Sequence, residues 1–479
     1  MRLPPATRDA AGAGRARALD LALGAGVVLA RVPFLFAGYG TDSDAWRVAW
    51  AGHEIARTGI YRSARAPGNP LPEFTAAALA SAPPWALNAI SALLGAVAVV
   101  LFGMLLRRLG CRAWLAGALA LAFTPVVAIH SADAMDYVWA LAFLLGAWHA
   151  ALDRRPALAG LLVGIATGCR ITSLVMLAPL SIVLAAGSAD TAGGRGRALA
   201  WLWGAGLGAA AAAFAPVVAQ AGLTFLHGYE HGYPRLLYVV KNGTVDVWGV
   251  PGSLGLAWAA LLVLLRRGRP AAGSALPAGT GAVVLAAAVA VAIELALFLR
   301  LPHDAAYLIP AVPFTLLIAA RALTRGVFVT LCVCVALSSF LVKVSESGAE
   351  STPARTPGAR IHVAGETLRV EVLRGPLVTD RLRREADLRH VARIRDAARR
   401  LPGPAVIAAY EWLPFLRVTA GGDRDGPATY VYMMLGRAEI DSLRLSGVEV
   451  YDLAGPGEQP RTLDGTLLRA AGSRPLELR

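Results

Sequence analysis

Apolar stretches of about 20 residues, the length that crosses a hydrocarbon core of about 30 Å as a helix, alternate with short polar turns along the first 344 residues. They fall near 18–38, 83–106, 112–130, 135–152, 157–169, 172–187, 197–221, 253–266, 280–300, 305–322 and 326–344. The segment 157–187 could be read as one helix. At 1.5 Å per residue it would then be about 46 Å long, and Gly168 and Arg170 interrupt it halfway. Two short helices meeting near Arg170 fit better and bring the expectation to eleven spans. Beyond Lys343 the pattern changes. Ser345–Arg360 reads as a Ser/Pro/Gly/Ala linker, and Arg381–Leu401 places apolar residues at helical spacing. Pro404–Tyr410, Ala428–Met433 and Val448–Leu453 read as short strands, with a helix at Arg437–Leu445. The expected fold is an α-helical polytopic membrane domain over 1–344, with a linker and small C-terminal α/β domain over 345–479.

Composition agrees with the pattern. The chain is 56% hydrophobic and 16% charged, with mean hydropathy +0.55, whereas soluble domains carry about 25% charged residues. The net charge of +14 argues against nucleic acid, because the arginines fall in turns between spans rather than in a soluble basic patch. Arg2, Arg8, Arg15 and Arg17 place the N-terminus in the cytoplasm, and the first apolar stretch reads as a retained helix rather than a cleaved signal. Arg107, Arg108 and Arg112, then Asp153 to Arg155, then Arg195 and Arg197, Arg266 to Arg269, and Arg321 and Arg325 fall inside. Thr41–Phe74, His130–Asp136, Phe225–Leu254, Arg300–Tyr307 and the C-terminal domain then share the outer side. That one-sidedness suits an enzyme open to one face better than an alternating-access transporter. Cys111, Cys169, Cys332 and Cys334 lie in or beside apolar spans without metal-ligand spacing.

Thr41–Phe74 is the most polar loop in the first half of the chain. Asp44–Thr58 reads as a short interfacial helix with Trp46 and Trp50 as membrane-surface anchors. Asp42 and Asp44, followed by Arg47, His53 and Glu54, could be helix-capping acids. They could also supply a general base for an acceptor hydroxyl or oxygen ligands for a divalent metal. Arg62 and Arg65, in a loop stiffened by Pro67, Pro70 and Pro72, suit phosphate oxygens of a substrate or of lipid headgroups. Asp133 and Asp136 are candidate acceptor or metal contacts. Arg170, between short membrane helices, needs a partner or water. Glu294 lines a cavity or pairs with Arg300. Lys241, Arg235, His227 and His231 are either phosphate contacts or plain surface.

The order D-x-x-R, short helix, G-x-Y and proline-rich stretch, here Asp44, Arg47, Gly59, Tyr61 and PGNPLPE, resembles the first outer loop of the GT-C superfamily of polytopic glycosyltransferases. The closest likeness is to its protein O-mannosyltransferase and lipid A aminoarabinose transferase branch. AGLLVGIATGCR, ending in Arg170, and PHDAAYLIPAVPF, carrying His303, are similar to further motifs of that superfamily. The resemblance implies a cell-envelope enzyme of the bacterial inner membrane. It would transfer a sugar from a polyprenyl-phosphate donor to an extracytoplasmic lipid, glycan or protein. Asp44 would be the base, with Asp42 next in line. Arg62, Arg65, Arg170, His303 and Lys241 would bind the donor phosphate, and Asp133, Asp136 and His53 the acceptor or a metal. The acid pair usual after the first helix is here Asp44-Ala45, and the double proline is missing, which leaves a divalent metal open. A transporter or flippase of lipid-linked sugars is the alternative, and a non-enzymatic scaffold a third reading.

Overall fold

A computed structural model describes residues 10–187, 192–224, 232–266, 280–346, 358–363, 365–432, 437–453 and 474–476. Among them, four helices are long and apolar enough to cross a membrane: Pro84–Arg108, Gly194–Ala221, Val245–Leu265 and Gly281–Arg300. The other expected spans are helical, and all but the first, the 22-residue Ala10–Arg31, are shorter. The 112–130 stretch breaks into Trp114–Phe123 and Pro125–His130, since Pro125 brings no amide hydrogen to continue the ladder. The 305–322 stretch becomes a 3-10 turn, Ala305–Leu308, and a helix, Ala311–Ala322. The first helix starts and stops early, at Ala10–Arg31. The expected break at Arg170 is present. Pro156–Cys169 ends there, Arg170 is extended at φ −152°, and a 3-10 stretch, Ile171–Met176, leads into Leu177–Gly187.

Gly160, Gly164 and Gly168 recur every fourth residue on Pro156–Cys169. That stripe lets its backbone approach helix Ala192–Ala221, as small residues do at membrane helix contacts. A Cβ on Gly160 would fall onto the Leu202 carbonyl, and one on Gly164 onto the Ala209 methyl. Gly164→Leu is therefore expected to cost about 3 kcal/mol or more by overpacking. The check is a lower unfolding temperature of the detergent-solubilised protein, with Gly204→Ala, which meets open space, as the neutral control.

The polar turns sort to two ends of the helices. At one, Arg107 reaches Asp20 at 2.6 Å, Arg108 reaches Asp153 at 2.5 Å, and Arg154 donates to the Leu184 carbonyl at 2.7 Å. At the other, the first loop meets the 131–136 turn, Arg170, the 303–308 turn and the C-terminal region.

The C-terminal region grows directly out of the last apolar helix, Arg325–Leu341. Strand β1 (Val342–Glu346) follows without a gap, and with β2 (Gly358–Val363) and β3 (Glu366–Val372) forms an antiparallel sheet of order β1-β3-β2. Both ends of the expected linker are thus strand, and 347–357 lies outside the described residues. A second sheet contains β4 (Ala405–Ala408), β5 (Arg424–Asp425), β6 (Ala428–Val431), β7 (Glu449–Asp452) and β8 (Arg474–Pro475) in the order β5-β6-β4-β7-β8. Its centre is parallel, β4 pairing with β6 and β7. The expected helices are present as Pro376–Arg399 and Arg437–Leu445.

Trp46 corrects the anchor reading. It is buried in the loop helix Ser43–Thr58, donates from Nε1 to the Gly40 carbonyl at 2.9 Å, and stacks on Phe415 with ring centroids 4.5 Å apart. Phe415 belongs to Leu413–Ala420, a helix not anticipated from the sequence. Trp50 faces the Arg417 guanidinium. Both indoles therefore dock the C-terminal region, whose apolar helix competes successfully for them. Arg384, 1% exposed, completes the junction. It pairs with Asp380 at 2.8 Å and donates to the Ala132 carbonyl at 2.7 Å.

Candidate functional site

Asp42 is the N-cap of the loop helix, accepting the Asp44 amide at 2.9 Å, the usual way to satisfy a first-turn N–H. The helix ends at Gly59, whose φ of 69° turns the chain back, a conformation glycine adopts without a Cβ clash. Tyr61 then donates to the buried Glu73, fixing the return of the loop. These contacts carry Arg65 back under the helix start. One guanidinium nitrogen meets Asp44 and the other meets Asp136 at 2.9 Å. Asp136 is fully buried and also takes Arg170 at 3.2 Å. Arg170 lies over the rings of Tyr137 and Tyr307, 4.4 and 4.7 Å from their centroids, and Tyr137 donates to Asp304 at 2.6 Å. An alternating chain of charge, Asp44–Arg65–Asp136–Arg170, results.

Two cavities flank it. The smaller, about 300 Å³, is walled by Arg65, Arg170, Thr172, Leu297 and Tyr307, with Glu294 and Arg300 at its side. The larger, about 790 Å³, is lined on one side by Asp42, His130, His303 and Asp304. Asp380, Asp387, His390 and Trp412 of the C-terminal region form its other side. Arg65 faces the smaller cavity while holding Asp44, two residues from Asp42 in the larger.

The expected site residues do not all converge. Asp44 has both oxygens on arginines, Oδ1 at 3.1 Å from Arg47 and Oδ2 on Arg65, and the larger cavity is lined by Asp42 instead. Burial first, then the neighbouring Asp44 carboxylate, pushes Asp42 up to about 6, with the Asp44 amide and Arg65 working the other way. Arg170 joins the network and His303 lines the larger cavity, its carbonyl accepting from Asn242 at 3.2 Å. Lys241 is paired with Asp246 at 2.7 Å. Asp133 lies 2.9 Å from His130. Arg62 is 66% exposed, 3.5 Å from Glu54, and outside the network. His53 points to the far side of its helix, its Nδ1 2.8 Å from the Ala49 carbonyl oxygen, beside a small void with Tyr39 and Ala76. His227 and His231 lie outside the described residues. Among the described residues no three His, Cys, Asp or Glu side chains converge on one point as a metal would require. The acids expected to serve a metal are held by Arg65, Arg170 and His130.

Sequence reasoning passed over Asp304, although it adjoins His303 in the same motif. It could not have found Asp380 and Glu411. Thr41 donates to Asp380 at 3.0 Å, and Ser43 donates to Glu411 at 2.8 Å. Both residues flanking Asp42 are thus bonded to the C-terminal region, and Arg47 adds a contact to Glu411 at 3.2 Å. No family model matches the chain, and neither a curated protein nor a solved structure matches it.

Proposed function

We propose that the chain is a membrane glycosyltransferase that moves a sugar from a polyprenyl-phosphate donor to an acceptor hydroxyl. The observation that carries this reading is the juxtaposition at one protein wall of two chemically different cavities. One presents two half-buried arginines among apolar side chains, and the other presents a partly buried carboxylate. A phosphate tethered to a lipid needs the first, because planar guanidinium groups bind phosphate oxygens well. A hydroxyl that must lose its proton needs the second.

In this reading Asp42, rather than Asp44, is the base, since Asp44 spends both oxygens on arginines. The acceptor oxygen forms a bond to the anomeric carbon as its proton passes to Asp42. The bond from that carbon to the phosphate oxygen breaks, and polyprenyl phosphate leaves with the electron pair. Arg65 and Arg170 offset the charge it gains. Displacement in one step inverts the anomeric centre. The shorter apolar helices share the bilayer with the four long ones, and the cavities and C-terminal region face the extracytoplasmic side.

The test is incubation of the purified protein with labelled polyprenyl-phosphate sugars. Release of polyprenyl phosphate with label passing to an acceptor or to water is the expected result. Movement of intact donor across a liposome membrane without cleavage would establish the flippase reading instead.

A further inference from the structure

The C-terminal wall of the larger cavity carries a feature that the proposed reaction does not use. Asp387 is 5% exposed, lines the cavity, and has no hydrogen-bond or ion-pair partner among the described residues. A buried carboxylate normally has a partner, so an unpartnered one facing a cavity marks a place where a ligand supplies the donors. Trp412 lines the same cavity, its ring 4.6 Å from that of His390. An aromatic ring and an acceptor-only carboxylate lining one cavity are a pairing for a ligand with apolar C–H faces and hydroxyl edges.

We propose that Asp387 and Trp412 form an acceptor subsite for a neutral saccharide of at least two residues, a reading that rests on the glycosyl transfer proposed above. Charge argues for a neutral ligand. Arg383 lines the cavity on the same helix, so a cationic ligand would meet a guanidinium beside the carboxylate. Burial first pushes Asp387 up to about 6, with Arg383 opposing and Asp380 adding to it, so the group is mainly ionised at neutral pH and accepts hydroxyl donors. The other cavity acids have partners of their own: Asp246 has Lys241, Asp304 has Tyr137, and Glu411 has Ser43 and Arg47.

Length argues for more than one sugar. Asp380 and Asp387 are seven residues apart on helix Pro376–Arg399, about 10 Å along its axis. Asp380 is bonded to Thr41, the residue before Asp42. A chain with its reacting hydroxyl at Asp42 and its far end at Asp387 thus spans more than one pyranose ring. The volume of about 790 Å³ lies within the range of pockets that enclose whole small ligands, about 300–1,000 Å³.

The experiment measures binding without donor, so that it stands apart from catalysis. The detergent-solubilised full chain is titrated with neutral gluco-, galacto- and manno-configured mono-, di- and trisaccharides, and with spermidine as the cationic comparison, read by calorimetry and saturation-transfer NMR. At least one disaccharide is expected to bind tenfold or more tightly than its monosaccharide. Asp387→Asn, whose unfolding temperature verifies that it folds, should weaken it tenfold or more, and Trp412→Phe should weaken it less than Trp412→Ala. Failure of every saccharide to bind, binding indifferent to Asp387→Asn, or preferential binding of spermidine overturns the subsite. Saccharide binding that persists in a protein unable to cleave polyprenyl-phosphate sugars would overturn the transfer reading alone.

Discussion

Asp42→Asn is expected to lower sugar transfer by about 10²–10⁴-fold, the range for loss of a general base, while raising the temperature of unfolding. The two effects have one cause. Asp42 is raised from 3.8 to about 6, by burial first and then by Asp44, so at neutral pH the fold carries a carboxylate it would rather protonate. The native state binds more protons than the unfolded chain between those values. Stability therefore falls as pH rises through the window and is lowest above it. The cost at pH 7.5 is on the order of 2 kcal/mol after allowance for its partial contact with solvent. Asparagine removes the charge and still accepts the Asp44 amide, since it caps helices as well as aspartate does.

Two measurements follow from the same group. Transfer by the wild type should rise about tenfold per pH unit below about 6 and level off above it, and the residual rate of Asp42→Asn should lack that limb. The difference in unfolding temperature between the two proteins should be largest at pH 7.5 and vanish only as pH falls below the unfolded value of 3.8. Asp44→Asn makes the contrast, because it breaks the contacts to Arg47 and Arg65 and should lower the unfolding temperature. A wild-type transfer rate in Asp42→Asn together with a collapse in Asp44→Asn would return the base to Asp44.

The part of this arrangement legible in the sequence is the part set by local pattern. Apolar runs mark the helices, and an arginine amid such a run marks the break at Arg170. The spacing from Asp44 to Tyr61 marks a loop helix that ends at Gly59. Span lengths were less legible, because Pro125 and the 3-10 turn at 305–308 shorten helices that hydropathy alone joins. Contacts across the chain were not legible at all. Nothing in Trp46 distinguishes an indole at a lipid surface from one stacked on Phe415, some 370 residues later. Nor does D-S-D spacing reveal which acid meets the arginines, since that depends on how Arg65 returns under the helix. The wall formed by Asp380, Asp387 and Glu411 comes from a helix and a turn whose sequences carry no motif. Only packing of the C-terminal region onto the first loop gives them a role.

Arg65 should prove the least replaceable of the cations. Among the described residues it is the single link between Asp44 and Asp136, and Asp136 has no exposure to water. Removing one partner from a buried ion pair leaves the other uncompensated, typically at about 3–5 kcal/mol. Arg65→Met is expected to cost the lower part of that range, because Arg170 still holds Asp136 and Arg47 still holds Asp44. Arg65→Lys should restore part of the stability but little transfer, since an ammonium cannot fork between two carboxylates and a phosphate as a guanidinium does. A double-mutant cycle with Asp136→Asn locates the effect. If the two residues act as one unit, the pair of substitutions costs less than the sum of the singles by about 0.5–3 kcal/mol, read from unfolding of the detergent-solubilised protein. Arg62→Ala, exposed and outside the network, should leave stability within about 0.5 kcal/mol. Strict additivity of Arg65→Met and Asp136→Asn would mean that the chain of charge is a set of independent contacts. The wall between the two cavities would then owe its rigidity to packing of Tyr137 and Tyr307 around Arg170 rather than to the ion pairs.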